Sequence, residues 1–309
     1  MLLITGASGL LGGNMALLAG QQGKKVLALY HGNPLVMPEA VSVRLDLEDE
    51  DGLQRLFREH PIQSVIHCAA MTNVDYCESH HAEAERINAV VPGRLATLAR
   101  EAGAQMLHVS TDQVFDGQRG SYTEESPTAP INVYGRTKLE GEQSVLSELP
   151  SALVIRTNMY GWNTTEKYSL GEWVLSSLEA GKSIPGFRDV VFTPLLVNDL
   201  CGLMLKMLRQ GLEGIWHLGG SEAISKYAFA RKLAKVFGLD ADLVWAASID
   251  DVGLAAPRPL DMSLRSDKAA RRLEVALPDV KSGLERFQSL RDEGYVKTLK
   301  SLATGGSGA

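Results

Sequence analysis

Cysteine is scarce in this sequence, with three residues among 309. They are Cys68, Cys77 and Cys201, an odd number without any C-x-x-C spacing, so they predict neither a disulfide framework nor a zinc site. The adjacent His80 and His81 add no metal site, because neighbouring residues point to different faces of a helix and the sequence offers no third ligand. We therefore expect a reducing, cytoplasmic environment and no bound metal.

The sequence also lacks an excess of basic residues and any long hydrophobic run. Its formal net charge is −6, whereas nucleic acids and anionic membranes attract basic surfaces. No apolar run reaches the roughly 20 residues that cross a membrane, and the first residues show neither the charged region nor the cleavage site of a signal peptide. We expect no nucleic-acid or membrane partner, and a small molecule as the ligand.

Short apolar runs alternate with helical stretches in the first half of the chain. The strand candidates are MLLIT, KVLALY, VSVRL, SVIHCAA, QMLHVS and ALVIRT. Continuous apolar runs are typical of strands that are buried on both faces, so the pattern predicts an α/β fold with a doubly wound parallel sheet of the Rossmann type. Helices are predicted at 10–22, 51–60, 80–102 and 132–149, with a break or kink at Pro92.

The texture of the sequence changes after Asn158, where glycine, tryptophan and loop-like segments become more frequent. Helices are predicted at 170–180, 197–210, 226–237 and 280–289. We expect residues 1–158 to form the first domain and residues 159–303 to form mainly a smaller substrate-binding lobe. No clear linker separates them, so we expect the chain to cross between the lobes more than once. Residues 304–309, TGGSGA, are typical of a flexible tail.

A glycine-rich turn follows the first predicted strand. It reads TGASGLLG and opens a helix. Glycine permits both the tight turn and the close approach of the backbone to a pyrophosphate, which the N–H groups at the helix start then bind. A glycine turn without a ligand is the alternative, but the strand-turn-helix context favours dinucleotide binding. The predicted cofactor contacts are Gly6, Ser8, Gly9, Leu10, Leu11 and Gly12.

No acidic residue stands at the end of the second predicted strand, which reads LYHGN. A carboxylate there would bind the ribose 2′-hydroxyl of NAD, and its absence leaves room for the 2′-phosphate of NADP. We therefore expect NADP(H), contacted by Tyr30 and His31 and with Asn33 as a further donor, and keep NAD(H) as the alternative. Asp46, followed by Leu47, is a candidate contact for the adenine amino group, and a helix N-cap is the competing role for Asp46.

A phenol and an ammonium stand four residues apart at Tyr134 and Lys138, so on a helix both project from one face. A nearby cation would bring the tyrosine pKa of about 10 toward neutral pH, where the phenol can exchange a proton with a carbonyl or an alcohol. Chance alone can produce this spacing. Thr111 adds context, because ligands gather where the strands of a doubly wound sheet end and a hydroxyl there can donate to a developing oxyanion. A strand-end turn role is the alternative for Thr111.

A combination of motifs runs through nearly the whole chain. The motifs are TGASGLLG, HCAA, STDQVFDG, NVYGRTKLEGE, Arg156-Thr157 and Arg258-Pro259. Together they resemble the extended short-chain dehydrogenases/reductases and, within them, the dTDP-4-dehydrorhamnose reductase group. The resemblance implies that NADPH passes a hydride to the C4 carbonyl of a nucleotide-linked 4-keto-6-deoxysugar. It also implies that Tyr134 protonates the nascent alkoxide, Thr111 hydrogen-bonds it, and Lys138 holds the nicotinamide ribose.

The resemblance implies further contacts at matching positions. Those with the cofactor are Ala69, Ala70, Thr72 and Ser110, and those with the substrate are Asp112, Gln113, Asn158, Met159 and Trp162. Gln113 stands where related dehydratases carry glutamate, and an amide cannot exchange the proton that water elimination requires. Met159 stands where the group commonly has tryptophan. Trp162 would compensate from a shifted position, and a buried core role is its alternative.

Two other functions stay open at this point. One is a non-catalytic NADP-binding regulatory subunit that resembles the beta subunit of methionine adenosyltransferase, and the other is a sugar-nucleotide epimerase. A homodimer through the paired helices that are common in this superfamily is an open alternative to a monomer.

Overall fold

The computed structural model describes residues 1–37 and 40–303. Its first half contains β1 (Leu2–Thr5), α1 (Leu10–Gln21), β2 (Val26–Tyr30), β3 (Ala40–Arg44), α2 (Glu50–Glu59), β4 (Ser64–His67), α3 (Val74–Ser79), α4 (His81–Glu85), α5 (Val91–Glu101), β5 (Gln105–Thr111), α6 (Val133–Glu148) and β6 (Leu153–Thr157). The second half contains β7 (Met159–Tyr160), α7 (Leu170–Glu179), β8 (Ile184–Phe187), β9 (Val191–Phe192), β10 (Leu195–Leu196), α8 (Val197–Arg209), β11 (Gly214–Leu218), β12 (Ile224–Ser225), α9 (Lys226–Val236), β13 (Val244–Ala247), α10 (Asp267–Leu273), α11 (Val280–Asp292) and α12 (Tyr295–Ser301). The predicted tail at 304–309 lies outside the described residues.

The described part of the chain contains one seven-stranded parallel sheet, in the order β11-β6-β5-β4-β1-β2-β3. Strands β1 and β6 are buried along their entire length, as their continuous apolar sequences predict. The doubly wound parallel sheet expected from the sequence is thus confirmed. The chain runs outward from β1 to β3 and then restarts at β4 on the other side of β1, which creates a topological switch point where ligands bind.

The seventh strand of this sheet comes from the second half of the chain. Strand β11 pairs in parallel with β6, from Gly214 against Leu153 to Leu218 against Thr157. Helix α8, just before it, packs against α1. Residues beyond 158 therefore add a strand to the central sheet and a helix that packs against α1.

The predicted helices agree closely with the observed ones, except where the sequence predicts one helix at 80–102. That region contains α4, a π-helical turn at Arg86–Val90 and then α5. Pro92 lies in the first turn of α5, directly after the π-helical turn, and the backbone stays helical from one to the other. The helix therefore does not break at Pro92, and its irregularity is the π-helical turn before it. The short helices α3, α10 and α12 had no prediction, because six or seven residues carry too little periodicity.

The second lobe combines short two-stranded ladders with helices α7, α9 and α11. An aromatic core joins these elements, since the ring of Tyr160 makes edge contacts with Phe229 and Phe287. No helix within the described ranges combines the length and apolar character needed to cross a bilayer.

Candidate active site

A cavity of about 680 Å³ lies at the carboxyl ends of the parallel strands, within the size range of small-molecule sites. Among its lining residues are many that the sequence predicts as contacts. They are Gly6, Ser8, Gly9, Leu10, Leu11, Gly12, His31, Ala69, Ala70, Thr72, Ser110, Thr111, Asp112, Gln113, Tyr134, Lys138, Asn158 and Met159. The structure thus brings both predicted sets into one space. Of the described residues, Tyr30, Asp46, Leu47 and Trp162 are predicted contacts that do not line it.

The glycine turn packs so closely against neighbouring backbone that two of its positions have no room for a Cβ. Gly6 has a φ of +64°, and a Cβ at this residue would lie 2.8 Å from backbone atoms of Ala69. A Cβ at Gly12 would lie 2.2 Å from the carbonyl oxygen of Gly6. Helix α1 begins here without an acidic residue in its first turn and without a side-chain cap at Gly9. The first N–H groups of α1 therefore lie at the cavity and can bind an anion.

The ends of β2 and β3 carry a cation that sequence reasoning missed. Arg44 lies beside Tyr30 in the ladder between the two strands, and its Nε donates to the carbonyl oxygen of His31 at 3.2 Å. The guanidinium is exposed. Only the strand register reveals this neighbour, because Arg44 is distant in sequence from the LYHGN segment.

Asp46 does not cap a helix. Its Oδ1 accepts the backbone N–H of Glu48 at 2.9 Å, whereas Asp49 caps α2 by accepting from the N–H of Gly52. The N-cap interpretation of Asp46 is therefore wrong. Its Oδ2 lies 3.8 Å from Nδ1 of His31, so it flanks the cavity without lining it.

Three predicted contacts pack against the hydrophobic core instead of lining the cavity. Trp162 stacks on Phe287 with 4.1 Å between ring centroids, and its indole N–H donates to the Phe287 carbonyl at 2.9 Å. The substrate contact predicted for Trp162 is thus wrong, and its core alternative is right. Tyr30 and Leu47 are half-buried, and each packs against one of the two core clusters on the faces of the sheet.

Tyr134 meets Thr111 where β5 ends. Asn132 accepts the N–H of Gly135 at 2.8 Å and so caps α6, which fixes Tyr134 in the first turn. Burial raises the pKa of Tyr134 above its usual value and outweighs the lowering effect of the nearby Thr111 hydroxyl. The phenol is therefore held in its protonated form, as a proton donor requires.

Lys138 is buried one turn further along α6, with 2% of its surface exposed. Its Nζ donates to the carbonyl oxygen of Val109 at 2.7 Å and lies 3.5 Å from Nε2 of His108. Burial lowers the pKa of Lys138 to about 8. The expected lowering of the Tyr134 pKa by this cation is not found, because the ammonium is directed to Val109 and burial of the phenol dominates.

Asp112 and Asn158 join the ends of β5 and β6 in the cavity wall. The amide of Asn158 donates to Oδ2 of Asp112 at 2.7 Å, and burial raises the pKa of Asp112 to about 6. Gln113 accepts from the Asn132 amide at 3.0 Å, so its oxygen is occupied. Met159, the residue after Asn158, adds an apolar side chain to the cavity wall.

A buried ion pair supports the site. Both of its residues occur in the sequence motifs, but the sequence did not predict that they pair. Arg156 in β6 and Glu142 in α6 lie 2.7 Å apart, with side chains 4% and 2% exposed. Ser110 donates to the same carboxylate, and the Arg156 guanidinium lies 5.3 Å from the ring centroid of Phe115. The arginine inside the apolar run ALVIRT could have indicated the pair, because a buried arginine needs an acidic partner. Together these contacts fasten α6 to the strands that carry Thr111 and Asn158.

The described part of the chain contains no cluster of side chains that could bind a metal ion. Among residues 1–37 and 40–303, no group of three or more histidine, cysteine or carboxylate side chains is arranged to hold a metal ion. His80 is exposed and stacks on Tyr76.

Comparison with known proteins gives similarities over most of the chain. A family model described as the RmlD substrate binding domain matches residues 1–291. A probable low-salt glycan biosynthesis reductase, Agl14, of Haloferax volcanii is 32% identical over 290 residues, covering 93% of this chain and 96% of that protein. A dTDP-4-dehydrorhamnose reductase of Mycolicibacterium smegmatis is 34% identical over 289 residues, covering 92% of this chain and 84% of that protein.

Two further similarities bear on cofactor and function. Methionine adenosyltransferase 2 subunit beta of Xenopus laevis is 32% identical over 285 residues, covering 86% of this chain and 80% of that protein. The crystal structure of dTDP-4-dehydrorhamnose reductase from Bacillus anthracis in complex with NADP superposes with a TM-score of 0.83 and 27% identity. The match covers 93% of this chain and 98% of that chain.

Proposed function

The chain belongs to the RmlD substrate binding domain family, and we propose that it reduces the 4-keto group of a nucleotide-linked deoxysugar. It is an NAD(P)-dependent oxidoreductase of the extended short-chain dehydrogenase/reductase group. The observation that carries this proposal is the position of Thr111, at the end of β5, and Tyr134, in the first turn of α6, in the wall of one cavity. Both residues line the same cavity as the glycine turn, so a proton donor and a cofactor cradle share one space.

The cofactor is NADP(H), with NAD(H) as an alternative, and the residues present fit it. The B. anthracis relative is a complex with NADP. In this chain Gly6, Gly9 and Gly12 line the cavity at the start of α1, where a pyrophosphate can approach the backbone closely. His31 and Arg44 then provide donors at the ends of β2 and β3, where a 2′-phosphate would lie. When bound, the reduced nicotinamide supplies the hydride.

Tyr134 supplies the proton. As the carbonyl carbon gains a hydride, its oxygen takes the phenolic proton of Tyr134, so the ketone becomes an alcohol and Tyr134 becomes a phenolate. The buried Thr111 hydroxyl donates to Oδ1 of Asp112 in the free site. When substrate binds, it would turn to donate to the carbonyl oxygen instead and so stabilise the charge developing there. Lys138 lines the cavity below and would hold the nicotinamide ribose.

Substrate contacts would come from the ends of β5 and β6. Asp112 and Asn158 provide polar atoms, and Met159 provides an apolar surface in place of an aromatic one. Gln113 holds an amide whose oxygen is bound to Asn132. An amide cannot exchange the proton needed to eliminate water, which favours reduction over dehydration.

A second candidate is a non-catalytic NADP-binding regulatory subunit. It is favoured by one observation, the similarity to methionine adenosyltransferase 2 subunit beta over most of the chain.

One experiment separates the two candidates. NADPH oxidation is followed with a panel of nucleotide-linked 4-keto-6-deoxysugars, and cofactor binding is titrated in parallel. We expect turnover with at least one member of the panel. Tight NADP binding without turnover of any carbonyl substrate would reject the reductase and support the regulatory subunit.

A further inference from the structure

A segment of the second lobe crosses the cofactor cavity. We call residues 163–169 the strap. Its Thr164 hydroxyl donates to the carbonyl oxygen of Ser8 in the glycine turn at 2.6 Å. The packing is tight, since a Cβ at Gly13 would lie 2.3 Å from the methyl group of Thr164. Just before the strap, the Trp162 carbonyl accepts from the side chain of Asn14 at 2.9 Å. The strap therefore rests directly on the start of α1.

The base of the strap is rigidly held. Ser169 and Glu172 form a capping box at the start of α7. The Glu172 carboxylate also accepts the backbone N–H of Asn163 at 3.0 Å, which ties the two ends of the strap together. The Asn163 amide then donates to the Lys167 carbonyl at 2.6 Å. The backbone of Lys167 is thus held by a hydrogen bond from the buried side chain of Asn163.

The side chain of Lys167 reaches the opposite wall of the cavity. Its Nζ donates to the Thr72 hydroxyl, after β4, at 3.2 Å, and both residues line the cavity. Within the described ranges, no carboxylate pairs with this ammonium. A cation without a counter-ion therefore lies across the cavity from Ser8 and the helix start that is ready for an anion.

The sheet order indicates which anion belongs there. Thr72 follows β4 and Ser8 follows β1, which are neighbouring strands at the switch point. His31 and Arg44 lie at the ends of β2 and β3, on the far side of β1. In this fold the pyrophosphate lies at the helix start after β1, and the adenosine extends toward β2. Lys167 is therefore near the pyrophosphate and distant from the 2′-phosphate.

We propose that Lys167 is a pyrophosphate ligand of the dinucleotide cofactor, contributed by the second lobe through the strap. The proposal rests on the proposed function only in taking NADP(H) as the cofactor. It implies that the cofactor is bound from both lobes. Because NADH and NADPH share the pyrophosphate, the contribution of Lys167 is the same for both.

The test is a fluorescence titration of the full chain with NADPH and with NADH, at low and at high salt. Lys167→Gln is expected to raise both dissociation constants by about tenfold, by the same factor, as for loss of one charge-assisted hydrogen bond. Its binding should also depend less on salt. Lys182→Gln, at an exposed lysine after α7, is the matched control and should bind as wild type. Arg44→Gln should weaken NADPH binding more than NADH binding.

Unchanged dissociation constants in Lys167→Gln would overturn the proposal, and so would a loss confined to NADPH, which would place Lys167 at the 2′-phosphate. These titrations contain no sugar. A failure of every keto sugar to turn over would therefore reject the reductase while the result for Lys167 stands. A wild-type chain that binds neither dinucleotide would reject both.

Discussion

Asn158 donates a hydrogen bond of 2.7 Å to Oδ2 of Asp112, so the carboxyl group at the end of β5 is bound from the end of β6. The Thr111 hydroxyl donates to the other oxygen at 3.1 Å. Burial outweighs both bonds and raises the pKa of Asp112 from 3.8 to about 6. The cavity wall therefore contains a carboxyl group that resists ionisation although donors surround it.

Asp112→Asn should change the pH dependence of stability. Because the folded-state pKa of Asp112 lies above the unfolded one, the folded state binds more protons, and Asp112 favours folding at low pH. That contribution is lost as pH rises through about 6. The free energy of unfolding of Asp112→Asn, relative to wild type, should therefore increase between about pH 4 and about pH 7 in urea titrations.

Asp279→Asn is the control for this prediction. A hydrogen bond from Ser282 lowers the pKa of Asp279. The stability of that variant relative to wild type should therefore change with the opposite sign, below about pH 4, and stay nearly constant between about pH 4 and about pH 7. Parallel pH profiles for wild type and Asp112→Asn would contradict the role assigned to burial of Asp112.

Tyr134→Phe should abolish most of the reductase activity. The substitution keeps the ring, which packs against the cluster of Val133 and Cys77, but removes the transferable proton. Because general acid catalysis typically accelerates a reaction by about 10²–10⁴-fold, the turnover number should fall by a factor in this range. Cofactor affinity should stay within about twofold, since a hydroxyl is lost but no charge. Steady-state kinetics and NADPH titration check both parts. Tyr76→Phe, at an exposed tyrosine, is the control, and wild-type turnover in Tyr134→Phe would refute its role as the acid.

The charge of Lys138 should appear in the pH dependence of cofactor binding. With its pKa lowered to about 8, Lys138 is protonated below that pH and becomes neutral above it. If it holds the nicotinamide ribose as a cation, NADPH affinity should decline as pH rises through about 8. Lys138→Gln should bind more weakly and lack this decline. If the NADPH affinity of the wild type stays constant as pH rises through about 8 and beyond, the assignment is contradicted.

Glu142→Gln should destabilise the fold. The substitution leaves the buried Arg156 guanidinium without its carboxylate, and breaking one side of a buried ion pair costs about 3–5 kcal/mol. Glu148→Gln offers a matched control on the same helix, because the pair of Glu148 with Arg100 is exposed and should contribute about 0–1 kcal/mol. Urea unfolding measures both variants, and equal losses would show that burial of the pair is energetically unimportant.

Local sequence patterns predicted the frame of this molecule well, because they depend on neighbouring residues. The glycine turn and the alternation of strands and helices are of this kind. Trp162 could not be placed in this way, since its role depends on Phe287, which is distant in sequence but stacks on it. Arg44 required the register of β2 against β3. Spacing did predict that Tyr134 and Lys138 share a helix face, but the burial of both groups comes from tertiary packing.

Strand β11 gives the molecule a particular order of assembly. During synthesis β6 leaves the ribosome well before Gly214–Leu218, which pair with it along its whole length. Until then β6 is an open sheet edge, able to pair with other chains. A fragment that ends after β6 would keep that edge permanently, so we expect it to aggregate.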